Sequence, residues 1–264
     1  MKCLDYSELG TTIENKYRGA CPKIVYPGTE TLEWHGFTRH NFELAGCKGF
    51  IVEPRNPAPE LPWSWCLQWA EAFVPRTPVL KLLDRGFHHV HLDVFHTRMN
   101  EEGVGILEQF YAMLQQLHFH PKAALIGMSY GGLFSFRWAA EHPETVAVIY
   151  ADAPVCDLAF TSGAEAEVNA TAYHTTVENL YVHPLAPIHN FQTIAKADIP
   201  ILAIRNGQDQ TVPPESNIDI FAERLQKAGG NIEVLRRNLY GHHPHGLDDP
   251  QPLVDFILRH YPSF

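Results

Sequence analysis

The chain has 264 residues, with 20 Lys and Arg against 30 Asp and Glu and a formal charge of −10. A field of that sign repels phosphate backbones and anionic lipid, so nucleic acid and membrane surfaces are excluded as partners. Hydrophobic residues at 45% and charged residues at 19% describe an ordinary globular composition and exclude a disordered tail or a coiled coil.

The N-terminus, Met1-Lys2-Cys3-Leu4-Asp5-Tyr6, lacks the apolar core of a signal peptide. No apolar run approaches the roughly 20 residues that span a bilayer. The five cysteines (Cys3, Cys21, Cys47, Cys66, Cys156) include no C-x-x-C pair. They read as free thiols in a reducing compartment, and the expected location is the cytoplasm. One domain is expected over 1–264, since no Gly/Ser-rich linker divides the chain.

In chain order, Glu30–Gly36, His40–Leu44 and Gly49–Val52 read as three strands joined by short links, an antiparallel entry to a sheet. Phe87–Val94 is the next strand. A helix follows over Glu101–His118, with Ile106, Phe110, Met113, Leu114 and Leu117 at helical spacing. Ala123–Ile126 is a short buried strand, and Leu133–His142 a helix closed by Pro143. Val146–Tyr150 and Ile199–Ile204 are strands. A helix over Ser216–Ala228 stops at Gly229-Gly230, followed by the strand Ile232–Leu235 and the helix Pro252–Arg259. Strands alternating with helices predict a mostly parallel sheet covered on both faces, an α/β class. The stretch 156–197 breaks the alternation and is expected to be a lid over the sheet's active edge.

Gly127-Met128-Ser129-Tyr130-Gly131-Gly132 is a G-x-S-x-G. About 0.1 chance matches are expected in a chain this long, so the context carries the weight. A strand leads in and a helix leads out, which is the turn a nucleophile elbow requires. A serine nucleophile then needs a base and a carboxylate to orient it. Asp209 follows the Ile199–Ile204 strand, in a loop at its C-terminal end. Tyr240-Gly241-His242-His243-Pro244-His245 follows the last strand and supplies three imidazoles. Gly241 precedes His242, whereas His243 follows a histidine and His245 a proline.

On these motifs the chain resembles the α/β-hydrolase superfamily from about residue 30 onward. The resemblance implies a Ser129–His242–Asp209 triad that forms and hydrolyses an acyl-enzyme, with no cofactor and no metal. It also implies an oxyanion hole from the N–H of Tyr130 and a second donor. Matching Pro62-Trp63-Ser64-Trp65 to the family's following helix places that donor at Asn56. Trp63 and Trp65 are then expected on an aromatic rim around the substrate, or in the core. Asp152, at the end of a strand, is a substrate-orienting or structural carboxylate and the rival for the triad acid.

The clusters His88-His89-x-His91 and His242-His243-x-His245 lack H-E-x-x-H spacing, which argues against a zinc enzyme. The phrases Asp152-Ala153-Pro154-Val155 and Gly241–His245 are similar to a bacterial esterase branch found near carbohydrate-degrading enzymes. The leading expectation is a serine esterase acting on a small or carbohydrate-linked ester, its only partner a small-molecule substrate. Gly-x-Ser-Tyr-Gly-Gly also resembles the prolyl-oligopeptidase group, whose usual large extra domain this chain has no room for. That leaves a peptidase or amidase as the alternative, beside a ligand-binding homologue without turnover.

Overall fold

A computed structural model describes residues 24–262. Nine strands form one sheet: β1 (Glu30–Trp34), β2 (Phe37–Leu44), β3 (Cys47–Glu53), β4 (Trp63–Gln68), β5 (His88–Leu92), β6 (Ala123–Met128), β7 (Val146–Asp152), β8 (Ile201–Asn206) and β9 (Ile232–Arg237). Among the described residues seven α-helices accompany them: α1 (Val79–Asp84), α2 (Glu101–Gln116), α3 (Tyr130–Glu141), α4 (Ala164–Ala172), α5 (Gln192–Lys196), α6 (Ile218–Lys227) and α7 (Gln251–His260). The spatial strand order is β1-β2-β3-β5-β4-β6-β7-β8-β9. Pairings from β1 to β5 across β2 and β3 are antiparallel, and all the others are parallel.

Strand geometry sends successive side chains to opposite faces, and two cores result. In β6, Ala123 and Leu125 join a core packed under α2, α3 and α6, while Ala124, Ile126 and Met128 face the core under α1 and α7. The strand is buried along its whole length, which is why it reads as a continuous apolar run. Asn100 caps α2 by accepting from the Gly103 N–H at 3.1 Å, with Glu101 and Glu102 in the first turn.

The structure corrects the sequence reading at β4. Trp63-Ser64-Trp65-Cys66 is not the start of a helix but a central strand between β5 and β6. The α-helix that follows it is α1, which begins only at Val79. Trp63 and Trp65 are both 0% exposed. Trp63 donates through Nε1 to the His120 carbonyl at 2.7 Å, and the Trp65 ring meets Trp138 edge-on at 5.0 Å. They form core, not a substrate rim.

The segment 156–197 supplies α4, a 3₁₀ turn at Glu178–Val182 and α5. Leu158, Ala170, Tyr173 and Leu180 anchor it in the α2/α3 core. Cys47, Cys66 and Cys156 are buried free thiols. Burial raises all three thiols, Cys66 to about 12. Cys3, Cys21 and the N-terminal hexapeptide lie outside the described residues. Among the described residues, no helix is long and apolar enough to cross a membrane.

Candidate active site

Ser129 stands between the end of β6 and the start of α3, with φ 54° and ψ −119°. A non-glycine residue there stores about 1–3 kcal/mol of strain, and the surroundings must hold it. Its N–H donates to the Asp152 carbonyl at 3.0 Å, while its own carbonyl accepts from Gly132 at 2.9 Å and Val155 at 3.0 Å. Close approach explains the glycines. A Cβ on Gly127 would sit 2.7 Å from the Gly131 carbonyl oxygen, and one on Gly132 only 2.2 Å from the Pro154 Cβ. The motif therefore extends to a second glycine after the serine, because α3 crosses the Pro154 turn there.

The other two residues arrive from neighbouring strands. Asp209 lies in the loop after β8 and is almost fully buried. Its Oδ1 accepts from the N–H groups of Thr211 and Val212, both at 2.9 Å. That leaves Oδ2 for His242 Nδ1 at 2.7 Å, and His242 Nε2 stands 3.1 Å from Ser129 Oγ. The carboxylate can only accept, so it fixes the proton on Nδ1 and leaves Nε2 as the acceptor for the serine hydroxyl. This arrangement can deprotonate an alcohol and pass the proton on to a leaving group.

The three adjacent histidines separate. His243 stacks on Phe73 at 5.4 Å, and burial, then the neighbouring His245 and His242, lower its pKa. His245 turns down to Asp152, with Nδ1 3.2 Å from Oδ1 but outside hydrogen-bonding geometry.

Asp152 does not face a substrate. It is 0% exposed and accepts from the Gly246 N–H at 2.6 Å and the Tyr150 hydroxyl at 3.0 Å. Arg237 Nη2 lies 3.4 Å away. Arg237 also bonds Asn206 Oδ1 and the Gly246 carbonyl. Asp152 is therefore the buried anchor of the loop that carries His242.

Asn56 lies far from Ser129. It follows β3, whose C-terminal end reaches the edge where the parallel strands begin, and its carbonyl oxygen packs against Gly86, just before β5. Ser129 stands at the opposite edge. The residue that comes there from the strand beside β6 is Trp69, first after β4. Gln68 pairs with Gly127, and a Cβ on Gly131 would meet the Gln68 carbonyl at 3.1 Å. Trp69 has φ 66°, unusual for a bulky side chain and a mark of a constrained turn. Sequence reasoning missed it because it missed β4. The run Trp-Ser-Trp-Cys-Leu between Pro62 and the turn was the available signal.

Tyr130 adds a link to 156–197. Its phenol donates to Glu165 Oε1 at 2.8 Å beside Asn169 Oδ1 at 3.0 Å, and Arg98 pairs with the same Glu165 oxygen at 3.3 Å. Burial, then the hydrogen bond to Glu165, raises its pKa. Phe95 and Phe160 meet the Tyr130 ring edge-on at 5.3 and 5.4 Å, and Trp69 packs on Phe95 at 4.9 Å. Among the described residues, no group of three or more His, Cys, Asp or Glu is placed to hold a metal ion.

A strained serine between strand and helix, facing a carboxylate-held imidazole on this sheet, defines a serine hydrolase of the α/β-hydrolase fold. The model of the prolyl oligopeptidase family matches residues 106–261, more than half of the sequence and the whole stretch from the elbow to His242. The chain belongs to that family, the group kept as the alternative on the Gly-x-Ser-Tyr-Gly-Gly motif.

Two curated relatives, acylamino-acid-releasing enzymes 1 and 2 of Oryza sativa subsp. japonica, are 25% identical over 152 residues. That match takes in 52% of this chain and 19% of theirs, so the chain spans about a fifth of their length. Among solved structures, an acylaminoacyl peptidase from Pyrococcus horikoshii superposes with a TM-score of 0.61 at 14% identity, covering 100% of this chain and 45% of that one. A putative dipeptidyl aminopeptidase IV from Bacteroides ovatus gives 0.62 at 16% identity, over 85% and 35%. Est1E from Butyrivibrio proteoclasticus gives 0.57 at 16% identity, over 84% and 98%. At these identities the likeness is one of fold.

Proposed function

We propose that the chain hydrolyses a carboxylic ester of a small molecule through an acyl-enzyme on Ser129. The observation that carries this is the relay from Ser129 Oγ to His242 Nε2 at 3.1 Å and from His242 Nδ1 to Asp209 at 2.7 Å. Ser129 Oγ attacks the carbonyl carbon while His242 takes its proton, and the tetrahedral oxyanion is held by backbone N–H groups. Tyr130 supplies one donor, since its N–H opens α3 and has no partner within the helix. Trp69 supplies the other in place of Asn56. Such donors contribute about 3 kcal/mol each to the barrier reduction. His242 returns the proton to the leaving alcohol. Water, deprotonated by the same imidazole, then releases the acid and restores Ser129. Asp209 keeps Nδ1 protonated and stabilises the imidazolium.

The ring cluster of Trp69, Phe95, Tyr130 and Phe160 supports an ester with an apolar acyl or aryl part. Peptide or amide hydrolysis is the second reading, and family membership favours it. Acylaminoacyl peptidases are among the structures this chain is similar to. A fluorophosphonate probe is expected to label Ser129, and Ser129→Ala to abolish labelling and turnover; unchanged turnover in the variant defeats the mechanism. A paired panel of aryl esters and aminoacyl amides separates the two specificities. Amide turnover within about tenfold of matched esters would favour the peptidase.

A further inference from the structure

Asn217 directly precedes α6 and is 0% exposed. An asparagine in that place ordinarily accepts an N–H of the helix's first turn through its side chain. This one makes no such bond, and the Asp219 N–H goes to the Pro214 carbonyl at 2.9 Å instead. Asn217 Oδ1 accepts from the N–H groups of Cys156 at 2.8 Å and Asp157 at 2.9 Å, which lie 61 and 60 residues earlier in the chain. Its Nδ2 donates to the Pro213 carbonyl at 3.0 Å and to Ser216 Oγ at 3.2 Å. Two backbone donors on one side and a carbonyl on the other fix the orientation of the amide. Its oxygen lone pairs and its hydrogens are all spent inside the protein, so it offers nothing to a substrate.

The two loops that it joins both carry catalytic groups. The last pair in the ladder of β7 and β8 is Asp152 with Ile204, and both loops lie beyond it. On one side, residues 153–157 support the elbow. Val155 N–H donates to the Ser129 carbonyl at 3.0 Å, and Gly132 packs on Pro154. Ala153 has φ 44°, a conformation that a non-glycine residue keeps only when its surroundings hold it. The Ala153 N–H to the Ile204 carbonyl at 3.0 Å restrains one end of this turn, and Asn217 Oδ1 restrains the other. On the other side, Pro213 follows Val212, whose N–H donates to Asp209 Oδ1 at 2.9 Å. One amide thus closes a path from the backbone of the nucleophile to the carboxylate of the acid, through Val155, Cys156, Pro213 and Val212.

We propose that Asn217 is a positioning residue that fixes the separation between the elbow and the acid loop. Asp209 then meets His242 Nδ1 at the same time as His242 Nε2 meets Ser129 Oγ. Asn217 acts through Asp209 and touches no substrate. Its role in turnover rests on the hydrolase reading above, whereas its hold on the bond between Asp209 and His242 stands without it.

Asn217→Ser provides the test. Serine caps a helix as well as asparagine does, so α6 keeps its start. The hydroxyl ends one bond short, however, and leaves the Cys156 and Asp157 N–H groups and the Pro213 carbonyl unjoined. With phenyl acetate, kcat should fall about 10²-fold, the effect of misplacing a catalytic group by about 1 Å, while KM stays within about threefold. The low-field proton resonance of His242 Nδ1–H reports the bond to Asp209, and it should move upfield or vanish in the variant. Phe221→Leu, a buried change within α6, is the control: it lowers Tm and leaves kcat and the resonance in place. Asn217→Asp keeps an acceptor for Cys156 and Asp157 and loses only the donor to Pro213. In that variant kcat should fall about tenfold, the worth of one hydrogen bond, and it decides the question if Asn217→Ser does not fold. A kcat within about threefold of wild type in the folded variant overturns the assignment. So does a fall that Phe221→Leu reproduces at equal Tm, or a rise in KM at constant kcat. If fluorophosphonate leaves Ser129 of the wild type unlabelled, the hydrolase reading fails, and the resonance still decides whether Asn217 holds Asp209 on His242.

Discussion

Two buried carboxylates sit near His242, and replacing each with its amide distinguishes their work. Asp152 is 0% exposed and faces Arg237, itself buried. In Asp152→Asn the amide oxygen must stay on the Gly246 N–H now held at 2.6 Å. The new NH₂ then points at Arg237 Nη2 and His245, donor against donor. Removing one partner of a buried ion pair costs about 3–5 kcal/mol. Arg237 keeps Asn206 Oδ1 and the Gly246 carbonyl, which puts the cost near the lower end, about 3 kcal/mol. At about 2–4 °C per kcal/mol for a chain of this size, Tm should fall by about 6–12 °C. Asp152 touches the loop but not the His242 ring, so kcat should fall only about tenfold. Asp209→Asn should do the reverse: little change in Tm and a loss of about 10⁴ in kcat through the wrong imidazole tautomer. Thermal melts and ester turnover on both variants settle the ranking. A loss above 10³ in Asp152→Asn with unchanged Tm, beside a mild Asp209→Asn, would move the acid to the end of β7.

In a scan of the three histidines, His242→Ala should be nearly inactive, while His243→Ala and His245→Ala keep turnover within about tenfold; activity in His242→Ala would show the base to be another residue. Acid should destabilise the fold through β5. His88 and His89 are held neutral by burial, with pKa values of about 3, whereas the unfolded chain takes up these protons below about 6.5. Their contribution is complete above pH 6.5 and is lost as pH falls toward 3. Linkage gives about 2 kcal/mol for each between pH 7 and 5. Urea midpoints at the two pH values measure it, and a double His88→Gln, His89→Gln variant that loses as much stability as the wild type would refute the assignment.

How much of this was legible in the sequence depended on how each strand is buried. β6, β7 and β8 are apolar runs framed by helices with clear 3.6-residue periodicity, so their order and the loops after them could be read. Ser129, Asp209 and His242 are named by those loops, and the structure brings the three together. β4 resisted because all six of its residues are buried and the run mixes Ser, Cys and Gln with tryptophan, so no alternation distinguishes its faces. Asn56 was matched to the oxyanion position although it lies at the opposite edge of the sheet, and the two tryptophans were left open between rim and core, where the structure has core. Helix α3 was expected from Leu133 but starts at Tyr130, directly after the serine, since a strained elbow residue leaves no room for a connecting loop.

The turn after β4 also shows why one missed strand matters for chemistry. Residues 68–73 adjoin both the elbow and the histidine loop. Gln68 lies against the elbow glycine Gly131, and Trp69 packs on Phe95. Glu71 is held by Trp34 and Arg39 from the antiparallel strands, and Phe73 stacks on His243. Two of these residues, Trp69 and Phe73, have positive φ values of 66° and 53°, an arrangement that persists only when the surroundings over-determine it. The Glu71 clamp and the Phe73 stack provide that constraint from both sides. The β1–β3 ladder, on the far side of β5 from the triad, thus reaches the turn after β4 through one carboxylate, so the antiparallel entry to the sheet helps to hold that turn in place.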